Sequence, residues 1–123
     1  MKDEQSIAPV DLKQRTKKFA LRSIRLYGAL PKTTVAWVIG KQMLRSGTSV
    51  GAQYREGVRA RSDAEFISKL ESALQELEET SYWLELIVEA EIMAEKRLEG
   101  LTQEANELTA ILTTCVKNTK RRL

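Results

Sequence analysis

The chain has 123 residues, 20 of them Lys or Arg and 17 Asp or Glu, for a formal charge of +3, with no histidine and one cysteine. That length builds one domain with a modest core, and a hydrophobic share of 42% argues against disorder. Without histidine the commonest general base and metal ligand are missing, and a single cysteine forms neither an internal disulfide nor a thiolate zinc site. The expectation is a non-enzymatic protein with no metal and no cofactor. No apolar run approaches a membrane span, and MKDEQSIAPVDLK at the start lacks a signal peptide's apolar core, so a cytoplasmic address is expected.

Both prolines, Pro9 and Pro31, sit early and punctuate helical patterns. Pro9 precedes a first helix over about 11–28, in which Leu12, Phe19, Ala20, Ile24 and Tyr27 are expected to face inward. Gly28 to Pro31 reads as a tight connection. Thr33 or Thr34 caps a second helix, extended to about residue 60. Ser62 or Asp63 begins a third helix over 63–91, with Glu65 as an acidic first-turn residue. Its Leu70, Ala73, Leu77, Thr80, Leu84 and Ile87 alternate three and four apart, and Ile67, Leu74, Ser81 and Val88 add a second stripe. A fourth helix over 95–120 repeats the spacing with Leu98, Leu101, Ala105, Leu108, Leu112 and Cys115. Four amphipathic helices with short connections and no period-two stretch predict an all-α, antiparallel up-down-up-down four-helix bundle as a single domain.

The near-balance of charge hides a split. Residues 1–62 carry thirteen basic and four acidic side chains, whereas residues 63–112 carry three basic and thirteen acidic; the tip, 113–123, has four basic and none acidic. Arg15, Lys18, Arg22 and Arg25 fall at i, i+3, i+7 and i+10 on one face of the first helix, flanked by Lys13 and Lys17. Arg55, Arg59 and Arg61 cluster at the end of the second. Such cations can track nucleic-acid phosphates. Equally, they can form a solvated face paired with the acidic helices, which would serve register or partner choice.

RSGTSVGAQYREG, at 45–57, is the densest segment. Gly47 and Gly51 stand four apart among small residues, and a glycine inside a helix costs about 1 kcal/mol against alanine. A phosphate loop would need Gly-Lys-Ser/Thr between a strand and a helix, and neither is present. Close packing of helices, within the bundle or between subunits, is the favoured reading, with Gly47, Ser49, Gly51, Gln53, Tyr54, Glu56 and Trp83 as packing or subunit-interface candidates. Glu56 in particular reads as a buried polar anchor between Arg55 and Arg59. Glu71, Glu78, Glu85 and Glu89 line one side of the third helix. Without histidine they suit a solvated or cross-subunit salt-bridge face better than a di-iron site. Cys115 reads as a small buried hydrophobe. Trp37, Tyr54, Tyr82 and Trp83 are scattered, and read as core or interface anchors more than as base-stacking residues.

RSGTSVGA at 45–52, Tyr54-Arg55-Glu56 and RARS at 59–62 resemble a bacterial four-helix-bundle family, the ribosomal S23-like proteins encoded in intervening sequences of 23S rRNA genes. The same family includes the accessory variability determinant of diversity-generating retroelements. The resemblance runs on through Ala64 to Ile67, Lys69-Leu70, Glu78 to Thr80, Tyr82 to Glu85, and Glu104 to Leu108. It departs where the family has Asn and this chain has Gln53, a longer amide that can shift a helix–helix hydrogen bond. The resemblance implies a homopentameric barrel of bundles, RNA or DNA binding, and contact with a reverse transcriptase or another protein. It implies no catalytic residues. The competing reading is a protein-interaction scaffold that uses complementary charged faces and has no nucleic-acid role.

Overall fold

The structure, a computed structural model, describes residues 11–123; Pro9 lies outside them. The described chain is all-α: α1 Leu12–Ala29, α2 Thr34–Val58, α3 Asp63–Glu89 and α4 Glu99–Lys120, with a 3-10 turn at Glu95–Arg97. Three of the four starts are capped by short oxygen-bearing side chains that satisfy otherwise orphaned N–H groups. Asp11 accepts the Gln14 N–H at 3.1 Å, Thr33 that of Ala36 at 3.2 Å, and Ser62 that of Glu65 at 3.1 Å. Glu65 in turn accepts the Arg61 N–H at 2.8 Å, a capping box reaching one residue further back than usual.

The first helix ends one residue past the expected 28, and a later boundary differs from expectation. Gly28 is still helical, and α1 stops at Leu30, whose extended backbone leads into Pro31. After α3, Glu91 takes a left-handed conformation (φ 59°), so residues 90–98 make a turn and the last helix begins at Glu99, not 95.

Phe19, Met43, Val50, Leu70, Leu77, Leu84, Ile87, Leu98, Leu108 and Leu112 are fully buried. All six α3 seam residues lie in this core, and at about 2 kcal/mol for each large side chain buried they anchor the fold. The α4 seam changes phase at its end: Val116 and Thr119 are buried after Leu112, and Cys115 is only half-buried beside them. In α1 the correction is larger. Ile24, expected inside, is 49% exposed, and Thr16 and Ser23 are buried in its stead.

The reason lies in the seam with α2. A Cβ on Gly47 would stand 2.9 Å from Ser23 Cβ, and one on Gly51 would stand 3.0 Å from Thr16 Oγ1. Helices this close admit small side chains only. The two hydroxyls are spared desolvation by donating to backbone carbonyls one turn back, Thr16 to Leu12 at 2.7 Å and Ser23 to Phe19 at 2.9 Å. α2 and α3 share the most extensive interface, where Thr80 Oγ1 lies 2.8 Å from Ser46 Oγ inside the core. The α1–α4 interface is the thinnest between neighbouring helices.

Candidate nucleic-acid interface

The cations of the first half separate into three environments. Arg15 is absorbed: its guanidinium donates to both oxygens of Glu104, at 2.8 and 2.9 Å, and to Glu107 at 2.8 Å. The hydrogen bonds to Glu104, and secondarily to Glu107, hold its pKa above the ordinary arginine value. The Glu107 carboxyl is held below the usual carboxylate range by its bonds to Gln103 and then to Arg15. Arg15 thus ties α1 to α4, with its charge countered by two carboxylates. Among the described residues, Lys13, Lys17, Lys18, Arg22, Arg25, Arg55, Arg59 and Arg61 form no ion pair with a carboxylate. Of these, Arg22 and Arg25 line a cleft at the α1–α4 seam, while the others are exposed.

A cationic end is assembled from chain-distant pieces. Arg55 Nη2 donates to the Lys13 carbonyl at 3.4 Å, which brings the start of α1 beside the end of α2. Arg122 meets both oxygens of Asp63 at 3.2 and 3.3 Å, which brings the C-terminal tip against the α2–α3 loop, and a groove there is lined by Arg61, Ser62, Phe66 and Arg122. Lys13, Arg55, Arg59, Arg61, Lys117, Lys120, Arg121 and Arg122 therefore share one end of the molecule. Lys120 is countered by Glu71 at 3.2 Å, and Arg122 by Asp63. Sequence reasoning notes the charge of the tip residues but assigns them to no site. Their signal is the acid-free run at 117–122, whose value depends on a fold that returns it to the Arg59–Arg61 loop.

The acidic side gathers in its own place. Glu78, Glu85, Glu89, Glu95 and Glu99 line a groove of about 1100 Å³ between α3 and α4, with Tyr82 on its rim and Leu84, Val88 and Leu98 in its walls. None of these carboxylates forms an ion pair among the described residues. Nor do three His, Cys, Asp or Glu side chains gather among the described residues to hold a metal ion.

The packing candidates divide too. Gly47 and Gly51 sit buried against α1, as above; Ser49 is partly exposed and donates to the Arg45 carbonyl at 2.7 Å; Gln53 is partly exposed. Glu56 is a correction: it is exposed and pairs with Lys69 Nζ at 2.7 Å, because its position points α2's outer face toward the start of α3. Tyr54 and Cys115 are both half-buried, and burial pushes both pKa values up, away from any reactive anion. Trp83 donates its indole N–H to Glu79 Oε2 at 3.1 Å, and Arg45 binds the same oxygen. The indole bond first, and Arg45 second, lower the Glu79 pKa. Trp37 is 54% exposed, with Lys41 Nζ 3.8 Å above its ring, so it is no core anchor.

Residues 9–114 match the family model described as 23S rRNA-intervening sequence protein. A 1.70 Å crystal structure of a protein of unknown function from the S23 ribosomal protein family of Bacteroides thetaiotaomicron is similar at TM-score 0.81 and 40% identity, over 86% of this chain and 98% of that one. A comparison with curated proteins finds no match. No described helix is long and apolar enough to cross a membrane.

Proposed function

The chain belongs to the 23S rRNA-intervening sequence protein family, and from that premise we propose that it is a non-enzymatic, homo-oligomeric accessory protein that binds the phosphate backbone of RNA or DNA. The observation that carries this reading is the cationic end, where three segments far apart in the chain converge and most of the charges lack a carboxylate partner. Lys and Arg displayed this way grip phosphates through charge and counterion release, with little sequence preference. Exposed Lys17 and Lys18 extend the track along α1.

An antiparallel up-down-up-down arrangement suits the contacts. Thr16, Ser23 and Leu30 meet Gly51, Gly47 and Gly40 in reverse order, and Asp63 meets Arg122. A homopentamer follows the family resemblance, and half-exposed Leu21, Ile24, Val35, Trp37 and Val38 provide apolar surface for association in the cytoplasm. A second reading, a protein-interaction scaffold, is favoured by one observation: the glutamate-lined α3–α4 groove fits a cationic partner surface and repels nucleic acid.

Binding of structured RNA and of duplex DNA across a salt series separates the two. Log affinity is expected to fall linearly with log salt, and Arg59→Glu with Arg61→Glu and Arg121→Glu should flatten the duplex slope by roughly 0.9 for each phosphate no longer neutralised. Absence of binding to either polymer at low salt sinks the nucleic-acid reading. Sizing across concentration tests assembly, and a stable monomer would end that part of the proposal.

A further inference from the structure

The α1–α4 seam contains a cleft of about 370 Å³ lined by Arg22 and Arg25 from α1 and by Arg97 from the 3-10 turn, with Leu26, Ala29 and Met93 among its walls. No acidic side chain lines it, and none of the three arginines forms an ion pair among the described residues. The turn and the helix start after it sort their charges: Glu95 and Glu99 face the α3–α4 groove, whereas Arg97 faces the cleft. The positive charge that the three guanidinium groups bring to the cleft is therefore matched by no carboxylate of its lining. An anion compensates it, and a phosphate does so best, because its oxygens match the planar forks of arginine.

Two further features suit an anion. The first turn of α4 borders the cleft through Gly100 and Leu101; its cap residue, Leu98, supplies no side-chain acceptor, and the turn's one acid, Glu99, lines the α3–α4 groove and not the cleft. Gly100 also makes room: a Cβ there would lie 2.9 Å from Arg22 Nη2. From Lys13 to Arg25 the cationic face of α1 spans about 18 Å, which joins the cleft to the cationic end.

We propose that this cleft is a phosphate pocket that seats a backbone phosphate of the bound nucleic acid, with Arg97 contributed by the otherwise acidic half of the chain. The inference rests on the nucleic-acid reading above and adds a defined anchoring site to it.

The test uses the full chain and two probes, inorganic pyrophosphate and a short duplex DNA, with NMR of the arginine Nε–Hε groups and binding at several salt concentrations. Pyrophosphate should shift the Arg22, Arg25 and Arg97 signals at low salt and compete with the duplex. Arg97→Gln should abolish both effects, weaken duplex binding about tenfold at low salt, and lower the salt slope by about 0.9. Gly100→Ala, which displaces the Arg22 guanidinium and removes no charge, should weaken pyrophosphate while changing the slope less. If the duplex binds with Arg97→Gln and Arg22→Gln/Arg25→Gln at unchanged affinity and slope, the pocket is overturned and the cationic end stands. If pyrophosphate occupies the cleft and no nucleic acid binds, the ligand is a free phosphate anion and the nucleic-acid source is overturned. If neither probe binds, both readings fall.

Discussion

Helix α1 is held on its two sides by different physics. Toward α2 it meets a row of glycines, so close that Thr16 and Ser23 fill the gap with hydroxyls. Toward α4 the interface is thin, the Arg15 clamp to Glu104 and Glu107 spans it, and the arginine cleft opens further along. A close-packed seam tolerates no change of volume but is indifferent to salt and pH. A seam made of charge is adjustable: it can take up an anion, and acid can loosen it. The two sides of one helix thus separate the part of the molecule that specifies the fold from the part open to ligands.

The sharpest way to break this contrast is to fill the tight seam. Gly47→Ala gains helix propensity but puts a methyl into Ser23, inside contact distance of its Oγ. A net loss of about 2 kcal/mol is expected by urea denaturation, since overpacking typically costs 1–3 kcal/mol. Adding Ser23→Gly to Gly47→Ala should recover part of that loss, because the methyl then has room; no recovery would mean the seam is not limited by this contact.

On the other side, Arg15→Gln removes the clamp. Arg15 and Glu104 side chains are 28% and 17% exposed, so the pair is sheltered enough that about 1 kcal/mol should be lost at neutral pH. The pH signature has a definite sign. A carboxyl whose folded pKa is lowered, as Glu107 and Glu79 are, contributes stability above its unfolded pKa that is lost as pH falls through and below the ordinary carboxylate range. Melting temperature should therefore drop on acidification, and Arg15→Gln should make that drop shallower. An unchanged acid profile would show that the clamp carries no linkage.

Much of this was legible in the amino-acid pattern. The α3 seam from Leu70 to Ile87 could be read residue by residue, since Leu, Ala and Ile at heptad spacing have one way to be buried. The caps at Thr33 and Ser62 were legible for the same local reason. Thr16, Ser23 and the exposure of Ile24 were not, because hydrophobicity ranks isoleucine above serine wherever the space allows either. The space is set by glycines some 24–35 residues further along, so Thr16 and Ser23 at heptad spacing meant nothing until Gly51 and Gly47 were set against them. Arg97 was hidden differently. It sits in a stretch of net negative charge, and only the turn's geometry places it with Arg22 and Arg25.

The smallest expected effect is also the cleanest control on the seam argument. Gly28 lies in α1, as Gly47 lies in α2, with no positive φ, but a Cβ on it would meet nothing within 4 Å. If glycines in this molecule are required where another helix approaches, and not because helices here need flexible points, Gly28→Ala should raise stability. The gain should stay below about 1 kcal/mol, since the site lies in the last turn, where propensity counts for less than in a helix interior. Opposite signs at Gly28 and Gly47 by the same denaturation measurement would assign the cost at Gly47 to contact with Ser23. The same sign at both would mean that backbone freedom, not packing, dictates glycine here.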